Sequence, residues 1–305
     1  MDLLNALLDV IVPVVLVAGA GAVLGRCFPL DVPTISKISL YVLSPALAFH
    51  TLLTTQVSPG AMAQVTVAYT VVTVIGLLCG LAGAVLLRLG SAQRRAVMVT
   101  GAISNTGNMG LPIAMFALGR SGFEQSVLLF IASIVIGYLI FPLVYGSTGG
   151  VASALISTAK LPVMWAMVAA VAMRLLGWNL PTGVMNGVEL LSQACLPMVL
   201  LALGIQLGAS GRPRLTPAVW AGTVVRIGVM PGVSLGIGLL FGMHGLPLQS
   251  LVLASAMPSA VNAYLFAVEM DGDTRTVGDI VTVTTLLSFI TVAFVTWALP
   301  WIGSL

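Results

Sequence analysis

Two clusters of polar and helix-breaking residues interrupt apolar stretches of this sequence. The first runs from Ser104 to Pro112 (Ser-Asn-Thr-Gly-Asn-Met-Gly-Leu-Pro), inside an apolar stretch from about 96 to 118. The second runs from Met257 to Ala263 (Met-Pro-Ser-Ala-Val-Asn-Ala), inside another from about 248 to 268. Proline cannot donate a helical N–H and glycine tolerates positive φ, so unwound backbone is expected at the clusters. Their amide and hydroxyl groups can donate hydrogen bonds to a polar ligand and accept them from it.

These clusters predict a ligand-binding site within a membrane. Unpaired backbone groups in hydrocarbon cost several kcal/mol each, unless protein, water or a ligand satisfies them. The N-termini of the resulting half-helices attract anions, and their C-terminal carbonyls attract cations. The candidate substrate-binding residues are Asn105, Thr106, Asn108, Pro112, Pro258, Ser259 and Asn262. The alternative is a pair of kinked helices whose polar side chains bond to neighbouring helices.

Arg226 is a further candidate for substrate binding. It lies about ten residues into a predicted helix, roughly 15 Å from the helix end. A charge inside the membrane is costly and is a functional candidate by default. Its guanidinium can bind a carboxylate bidentately, or it can stand in for a coupling cation. Two alternatives involve no ligand. Arg226 forms a structural ion pair with a carboxylate, or its helix starts later and leaves Arg226 nearer the interface.

Two prolines are candidates for hinges or for kinks that line a cavity. Pro45 and Pro197 interrupt the second and seventh predicted helices at equivalent positions. Ser44 and Gln206 are the polar side chains expected to accompany them. Kinks that serve only packing are the alternative.

Composition places the chain in a membrane. Hydrophobic residues make up 59% of the 305 and charged residues 7%, and the mean hydropathy is +1.12. A soluble protein of this size needs more charge on its surface. Stretches long enough to cross a ~30 Å hydrocarbon core predict an all-α polytopic membrane protein with ten transmembrane helices. These lie near 8–26, 34–56, 62–88, 94–118, 124–146, 160–177, 186–208, 217–241, 247–269 and 278–301.

The two halves of the chain resemble each other. At an offset of 152 residues, glycines and prolines coincide more often than chance allows, which indicates an internal repeat. The coinciding pairs are Gly25 and Gly177, Pro29 and Pro181, Pro45 and Pro197, Gly76 and Gly228, Gly80 and Gly232, and Gly90 and Gly242. Five helices per copy force the second copy to insert upside down. We therefore expect inverted repeats at 1–147 and 160–305, joined by a cytoplasmic linker at 148–159, with broken, crossing helices 4 and 9.

The distribution of basic residues predicts the orientation. Lys and Arg concentrate in cytoplasmic loops. One predicted side carries Arg26, Lys37, Arg88, Arg94, Arg95, Lys160, Arg212, Arg214 and Arg275, and the other carries Arg120 and Arg174. The first side is therefore expected to be cytoplasmic, with both termini extracytoplasmic.

The residues of both clusters resemble the auxin efflux carrier family, in its bacterial form. The resemblance rests on Asn105-Thr106-Gly107, Gly110-Leu111-Pro112, Leu196-Pro197, Leu203-Gly204 and Ala256-Met257-Pro258-Ser259-Ala260-Val261-Asn262. It implies a ten-helix fold shared with sodium-coupled bile acid symporters, in which helices 4 and 9 cross where they unwind. It also implies a scaffold domain and a mobile domain that work as an elevator. The chain lacks the long central hydrophilic loop of many plant members, so it is similar to bacterial members, which are associated with malate and malonate.

The expected function is secondary transport of a small organic anion, such as malate, malonate or an auxin-like acid, across the bacterial inner membrane. The expected partners are this carboxylate, a coupling ion (H⁺ or Na⁺), the lipid bilayer and a second copy in a homodimer. We expect no catalytic residues and no cofactor. We expect no nucleic acid as a partner because the basic residues form no stripe, and no metal site because the cysteines lie far apart. Proton symport, sodium symport and uniport all remain open.

Two other functions compete with this one. A sodium-coupled bile-acid-type symporter has the same helix count, although no Asp or Glu lies close to either cluster in sequence. An intramembrane hydrolase is suggested by Gly208-Ala209-Ser210-Gly211, which has the form of a serine-protease motif. However, His50 and His244 are predicted near the opposite face, and a nucleophile needs its base within hydrogen-bond reach.

Overall fold

The computed structural model describes residues 7–55, 57–146, 155–156 and 158–305. Regular structure in this part of the chain is helical. The helices are α1 Leu8–Cys27, α2 Val32–Thr54, α3 Pro59–Leu86, α4 Ser91–Ala102, α5 Thr106–Tyr145, α6 Pro162–Leu176, α7 Thr182–Ala209, α8 Pro217–Leu240, α9 Gly245–Ala256, α10 Val261–Glu269 and α11 Thr274–Ser304. Residues 148–154 and 157 of the predicted linker lie outside the described residues.

Nine helices of the described chain are apolar enough for a bilayer. Seven of them are long enough to cross it, namely α1, α2, α3, α5, α7, α8 and α11, while α6 and α9 are shorter and also apolar. Large apolar side chains face outward, as Leu175 and Leu240 do at 82% exposure each. A water-facing surface would not carry such side chains in this number, whereas lipid tails accept them. The chain is therefore a multi-pass membrane protein.

Helix α5 consists of two helices that meet at Gly119. This residue has φ 66° and ψ −165°, a conformation that is not helical and that is open to glycine. The segments 106–118 and 120–145 therefore run in different directions. The sequence predicted a boundary here, between helices at 94–118 and 124–146, and the second helix begins a few residues earlier than expected.

Packing divides the helices into two groups. In the first group α1 packs along α7, and α2 packs on α6 and α7. In the second, α3 packs on α4 and α8, while α9 packs on α5, α8 and α11. The segment Thr106–Gly110 at the start of α5 contacts both α7 and α9, so it lies between the groups.

Glycines allow the backbones of α1 and α7 to touch. A Cβ on Gly204 would overlap the carbonyl oxygen of Ala18, and one on Gly208 would overlap that of Ala22. A Cβ on Gly25 would lie 2.5 Å from the carbonyl oxygen of Ile205. Small residues at such spacing are how membrane helices approach closely without a hydrophobic driving force.

Candidate functional site

Two interrupted helices cross at the centre of the molecule. Helix α4 ends at Ala102 and α5 begins at Thr106, while α9 ends at Ala256 and α10 begins at Val261. Between these ends, Ser104 and Ser259 pair as an antiparallel bridge. The N–H of Asn105 donates to the carbonyl of Pro258 (2.7 Å), and the N–H of Ala260 donates to that of Ile103 (3.0 Å). Each break thus supplies partners for backbone groups that the other leaves free.

Hydrogen bonds to three neighbouring helices hold the crossing in place. The Ser259 hydroxyl donates to the carbonyl of Thr100 in α4 (2.9 Å), and the Ser259 N–H donates to Oγ1 of Thr284 in α11 (3.2 Å). The hydroxyl of Tyr69 in α3 lies 2.9 Å from that of Ser104. All these groups are buried, so their polar atoms depend on one another rather than on water.

Replacing Thr284 with Val should destabilise the crossing by about 1–3 kcal/mol, the cost of leaving a buried donor without its acceptor. Valine keeps the shape of threonine but leaves the Ser259 N–H without the Thr284 oxygen. Thr285→Val is the matched control, because Thr285 is equally buried and donates to a carbonyl of its own helix. Thermal unfolding in detergent measures the effect. Equal Tm values for the two variants would contradict the assigned role of Thr284.

A small cavity lies beside the crossing, at the N-terminal ends of α5 and α10. Its volume is ≈40 Å³. The first break contributes residues 103–108, and the second contributes residues 260–262. The remaining walls come from the segment 120–145 of α5 and from Phe266 of α10. Of the predicted substrate-binding residues, Asn105, Thr106, Asn108 and Asn262 line this cavity.

Asn105 presents a free hydrogen-bond donor in this cavity. Its Oδ1 accepts from the N–H of Asn108 (3.1 Å) and so caps α5, which fixes the orientation of the amide. Its Nδ2 is buried and, within the described chain, donates to no group. Asn105 as a whole is only 5% exposed. An unpaired buried donor costs about 1–3 kcal/mol, so this amide favours a ligand that carries an acceptor.

The charge distribution of the cavity also suits an acceptor. No acidic side chain is among the described residues that line it. Helix N-termini carry a partial positive charge, and those of α5 and α10 both lie here. The Thr106 and Ser133 hydroxyls lie 2.6 Å apart. Because Ser133 donates its one hydrogen to the Phe130 carbonyl, Thr106 is the donor of that pair.

The far wall of the cavity includes aromatic residues that were not predicted from the sequence. Phe266 of α10 stacks on Phe141 with ring centroids 4.4 Å apart, and it meets Tyr138 edge-on at 4.7 Å. Phe130 covers Gly107, where a Cβ would lie 2.6 Å from its ring. Among the lining residues of this wall, only Ser133 could have been recognised from the sequence, because it is the lone hydroxyl in the apolar segment 127–136.

Three predicted substrate-binding residues lie at the breaks but do not line the cavity. Pro112 is buried in α5, six residues after the start of that helix. Pro258 and Ser259 belong to the paired backbone of the crossing, and the Ser259 hydroxyl is directed to Thr100 instead. Pro258 and Ser259 therefore shape the crossing, and none of the three residues lines the cavity.

Arg226 does not line the cavity either. Its side chain is buried, with 1% exposure, and its guanidinium reaches the other side of the crossing. Nη1 donates to the carbonyls of Gly101 (3.0 Å) and Ala102 (2.9 Å), and Nη2 donates to that of Ser255. These carbonyls lie at the C-terminal ends of α4 and α9. No acidic side chain of the described chain forms an ion pair with Arg226.

The predicted hinge residues lie in α2 and α7. Ser44 is buried and, with Pro45, begins the α-helical part of α2 after a π-helical turn at Ser39–Leu43. Pro197 lies inside the continuous helix α7. Ser44, Pro45 and Pro197 line neither this small cavity nor a second, larger cavity, whereas Gln206 lines the larger one.

The second cavity is larger and has a volume of ≈590 Å³. It lies between the ends of α2 and α7 on one side and α10 and α11 on the other, and Val261 lines both cavities. Arg212, Arg275 and Asp279 are among its polar residues. Asp279 lies 3.3 Å from Arg214 and 3.9 Å from Arg275.

The geometry does not assemble a hydrolase. Ser210 lines the second cavity, but its hydroxyl donates to the carbonyl of Gln206 (2.7 Å). No histidine is among the described residues around that cavity, and His244 contacts the carbonyl of Leu305 instead (3.1 Å). Among the described residues, Ser210 therefore has no adjacent histidine to act as the base that a serine nucleophile needs.

Comparison with known proteins identifies the family. The chain is 25% identical to an uncharacterized transporter of Methanothermobacter thermautotrophicus over 273 residues, 88% of this chain and 89% of the relative. It is 23% identical to one of Methanocaldococcus jannaschii (74% and 75%) and 32% identical to the uncharacterized transporter YfdV of Escherichia coli K12 (41% and 39%). A family model described as membrane transport protein matches residues 4–146 and 151–296. The resemblance to auxin efflux carriers is thus confirmed, and the chain belongs to this family of membrane transport proteins.

Proposed function

We propose that the protein is a secondary transporter for a small organic anion, whose carboxylate binds in the cavity at the N-termini of α5 and α10. The observation that carries the proposal is the buried Nδ2 of Asn105, which has no partner in the described chain although Asn105 lines this cavity. A carboxylate oxygen would accept from it, and the two helix N-termini would stabilise the negative charge. Membership of a transporter family supports transport over catalysis.

The size of the cavity supports binding of one end of the ligand. A water molecule needs about 10–15 Å³ by this kind of measure, so ≈40 Å³ admits a group of carboxylate size. Whole-ligand pockets are larger, about 300–1,000 Å³. The second cavity is of that size, and Val261 lines both cavities. We infer that the second cavity is the approach to the site and holds the remainder of a longer acid.

The proposed architecture is the ten-helix arrangement of two inverted repeats, 1–147 and 160–305. It is supported by the antiparallel pairing of the two breaks at Ser104 and Ser259, because two segments related by a twofold axis in the membrane plane run antiparallel where they cross. The group of α1, α2, α6 and α7 would be the scaffold, and the other helices would move against it as an elevator. We place the protein in the inner membrane with both termini outside. The second cavity, beside Arg212 and Arg275, then opens to the cytoplasm.

A ligand screen tests the function. Mono- and dicarboxylates are added to the purified protein with and without sodium, and Tm is measured at each pH. A true substrate at 100 times its Kd should stabilise the protein by about 2.7 kcal/mol. Flux of that acid into proteoliposomes should saturate and be inhibited by competitors. Stabilisation by bile acids in sodium, and by none of the small acids, would contradict the proposal.

A further inference from the structure

We propose that the guanidinium of Arg226 is a built-in cation, filling a site where a monovalent cation would otherwise be held. Its three acceptors are main-chain carbonyls of Gly101, Ala102 and Ser255. Carbonyl oxygens are ligands that hard metal cations prefer, and such groups bind the coupling ion where transporter helices are broken. These carbonyls therefore form a cation site, in contrast to the small cavity proposed for the anion. The side chain of Arg226 occupies this cation site.

The position of the carbonyls explains why a positive charge is needed. Each helix ends with a partial negative charge of about half an elementary charge. Gly101 and Ala102 end α4, and Ser255 is the penultimate residue of α9. Two negative helix ends thus meet in a buried place, and Arg226, at 1% exposure, supplies the compensating charge. The planar fork of arginine can donate to several carbonyls at once, which ammonium groups do less well.

The crossing therefore separates charge between its two sides. The N-termini of α5 and α10 face the cavity, whereas the C-termini of α4 and α9 face Arg226. Arginine does not lose its proton in proteins, so this cation neither leaves nor titrates during a cycle. Anion binding at the crossing would then require no sodium at this place. This consequence for coupling rests on the proposed function, whereas the cation site itself does not.

The test uses Tm of the purified protein in detergent, which requires no substrate. Wild type, Arg226→Ala and Arg226→Lys are compared in choline chloride, sodium chloride and methylguanidinium chloride at equal ionic strength. Arg174→Ala is the matched control, because Arg174 also donates to a helix carbonyl, that of Leu52 (3.2 Å), but from an exposed position. Each variant changes a single arginine, and of Arg226 and Arg174 only Arg226 lies at the crossing.

We expect the wild-type Tm to be equal in choline and sodium. In choline, Arg226→Ala should lose roughly 5 °C or more, and methylguanidinium or sodium should restore part of this loss in a saturable way. Arg226→Lys should need no added cation, and Arg174→Ala should show no recovery. A saturable sodium effect on the wild type would overturn the proposal, as would an Arg226→Ala variant as stable as wild type in choline.

A second pair of variants covers the case in which Arg226→Ala does not fold. Arg226→Lys keeps the charge, and Arg226→Gln keeps hydrogen-bond donors without it. A higher Tm for the lysine variant supports a role for the charge, and equal Tm values contradict it. If the cation effects are found but no organic acid binds, the function fails while the cation site stands.

Discussion

Replacing Asn105 with Asp should weaken binding of the organic anion by roughly 10- to 150-fold while the fold is kept. A hydrogen bond to a charged group contributes about 1.5–3 kcal/mol, and each 1.4 kcal/mol is a factor of ten in affinity. Aspartate has the shape of asparagine but offers an acceptor in place of Nδ2, and its negative charge repels a carboxylate. Its other oxygen can still accept from the N–H of Asn108, so the cap on α5 is preserved.

Two measurements separate a lost ligand contact from a damaged fold. Without ligand, the Tm of Asn105→Asp should lie closer to that of wild type than the Tm of Asn105→Ala does, because the carboxylate keeps the cap and its attraction to the helix N-terminus offsets part of the cost of burying its charge. With ligand, the increase in Tm should disappear. Asn105→Ala loses both the cap and the donor, so its Tm should fall even without ligand. If Asn105→Asp bound the anion with wild-type affinity, the proposed site would be excluded, because the proposal depends on Nδ2 as the donor to the carboxylate.

The helix breaks could be predicted from sequence because their causes are local. Pro258 and the glycines of the first cluster disfavour a continuous helix wherever the chain goes. The same reasoning identified the half-helix ends, and with them Asn105, Thr106, Asn108 and Asn262 as polar residues near those ends. These four line the cavity. Local preference, however, does not decide which polar groups turn toward each other, so Ser259 and Pro258 were assigned to a ligand although they pair with the other break.

The remainder of the site depends on tertiary packing, which carries no local signal. Phe130, Tyr138 and Phe141 lie in the stretch 127–145, whose residues, apart from Ser133, suit lipid or core equally well, and only the fold directs them to the cavity. Arg226 is a clearer case. Its predicted position inside the membrane made it a candidate, but its partners are main-chain carbonyls. Every residue possesses a carbonyl, so no residue type marks these partners in the sequence. The sequence could therefore suggest a substrate contact, an internal cation or an ion pair, whereas the placement of the guanidinium on two helix ends depends on the tertiary fold.

Replacing Gly204 with Ala should prevent α1 and α7 from packing and remove most of the folded protein from the membrane. The new Cβ would overlap the carbonyl oxygen of Ala18 and lie 2.9 Å from its Cα. Because both groups are backbone, no side-chain rotation can relieve the overlap, and the helices must move apart. Overpacking costs about 1–3 kcal/mol where side chains can adjust, so the cost here should reach the upper end of that range or exceed it. Fluorescence-detected size-exclusion chromatography measures the folded yield.

Gly187→Ala is the matched control on the same helix, because nothing lies within 4 Å of a Cβ at Gly187. Alanine is the better helix former by about 1 kcal/mol, so this variant should be at least as stable as wild type. A damaging effect of both substitutions would indicate that α7 needs flexibility rather than close contact. A harmless Gly204→Ala would mean that α1 and α7 lie farther apart than described, and the rigid scaffold on which the elevator proposal depends would lose its support.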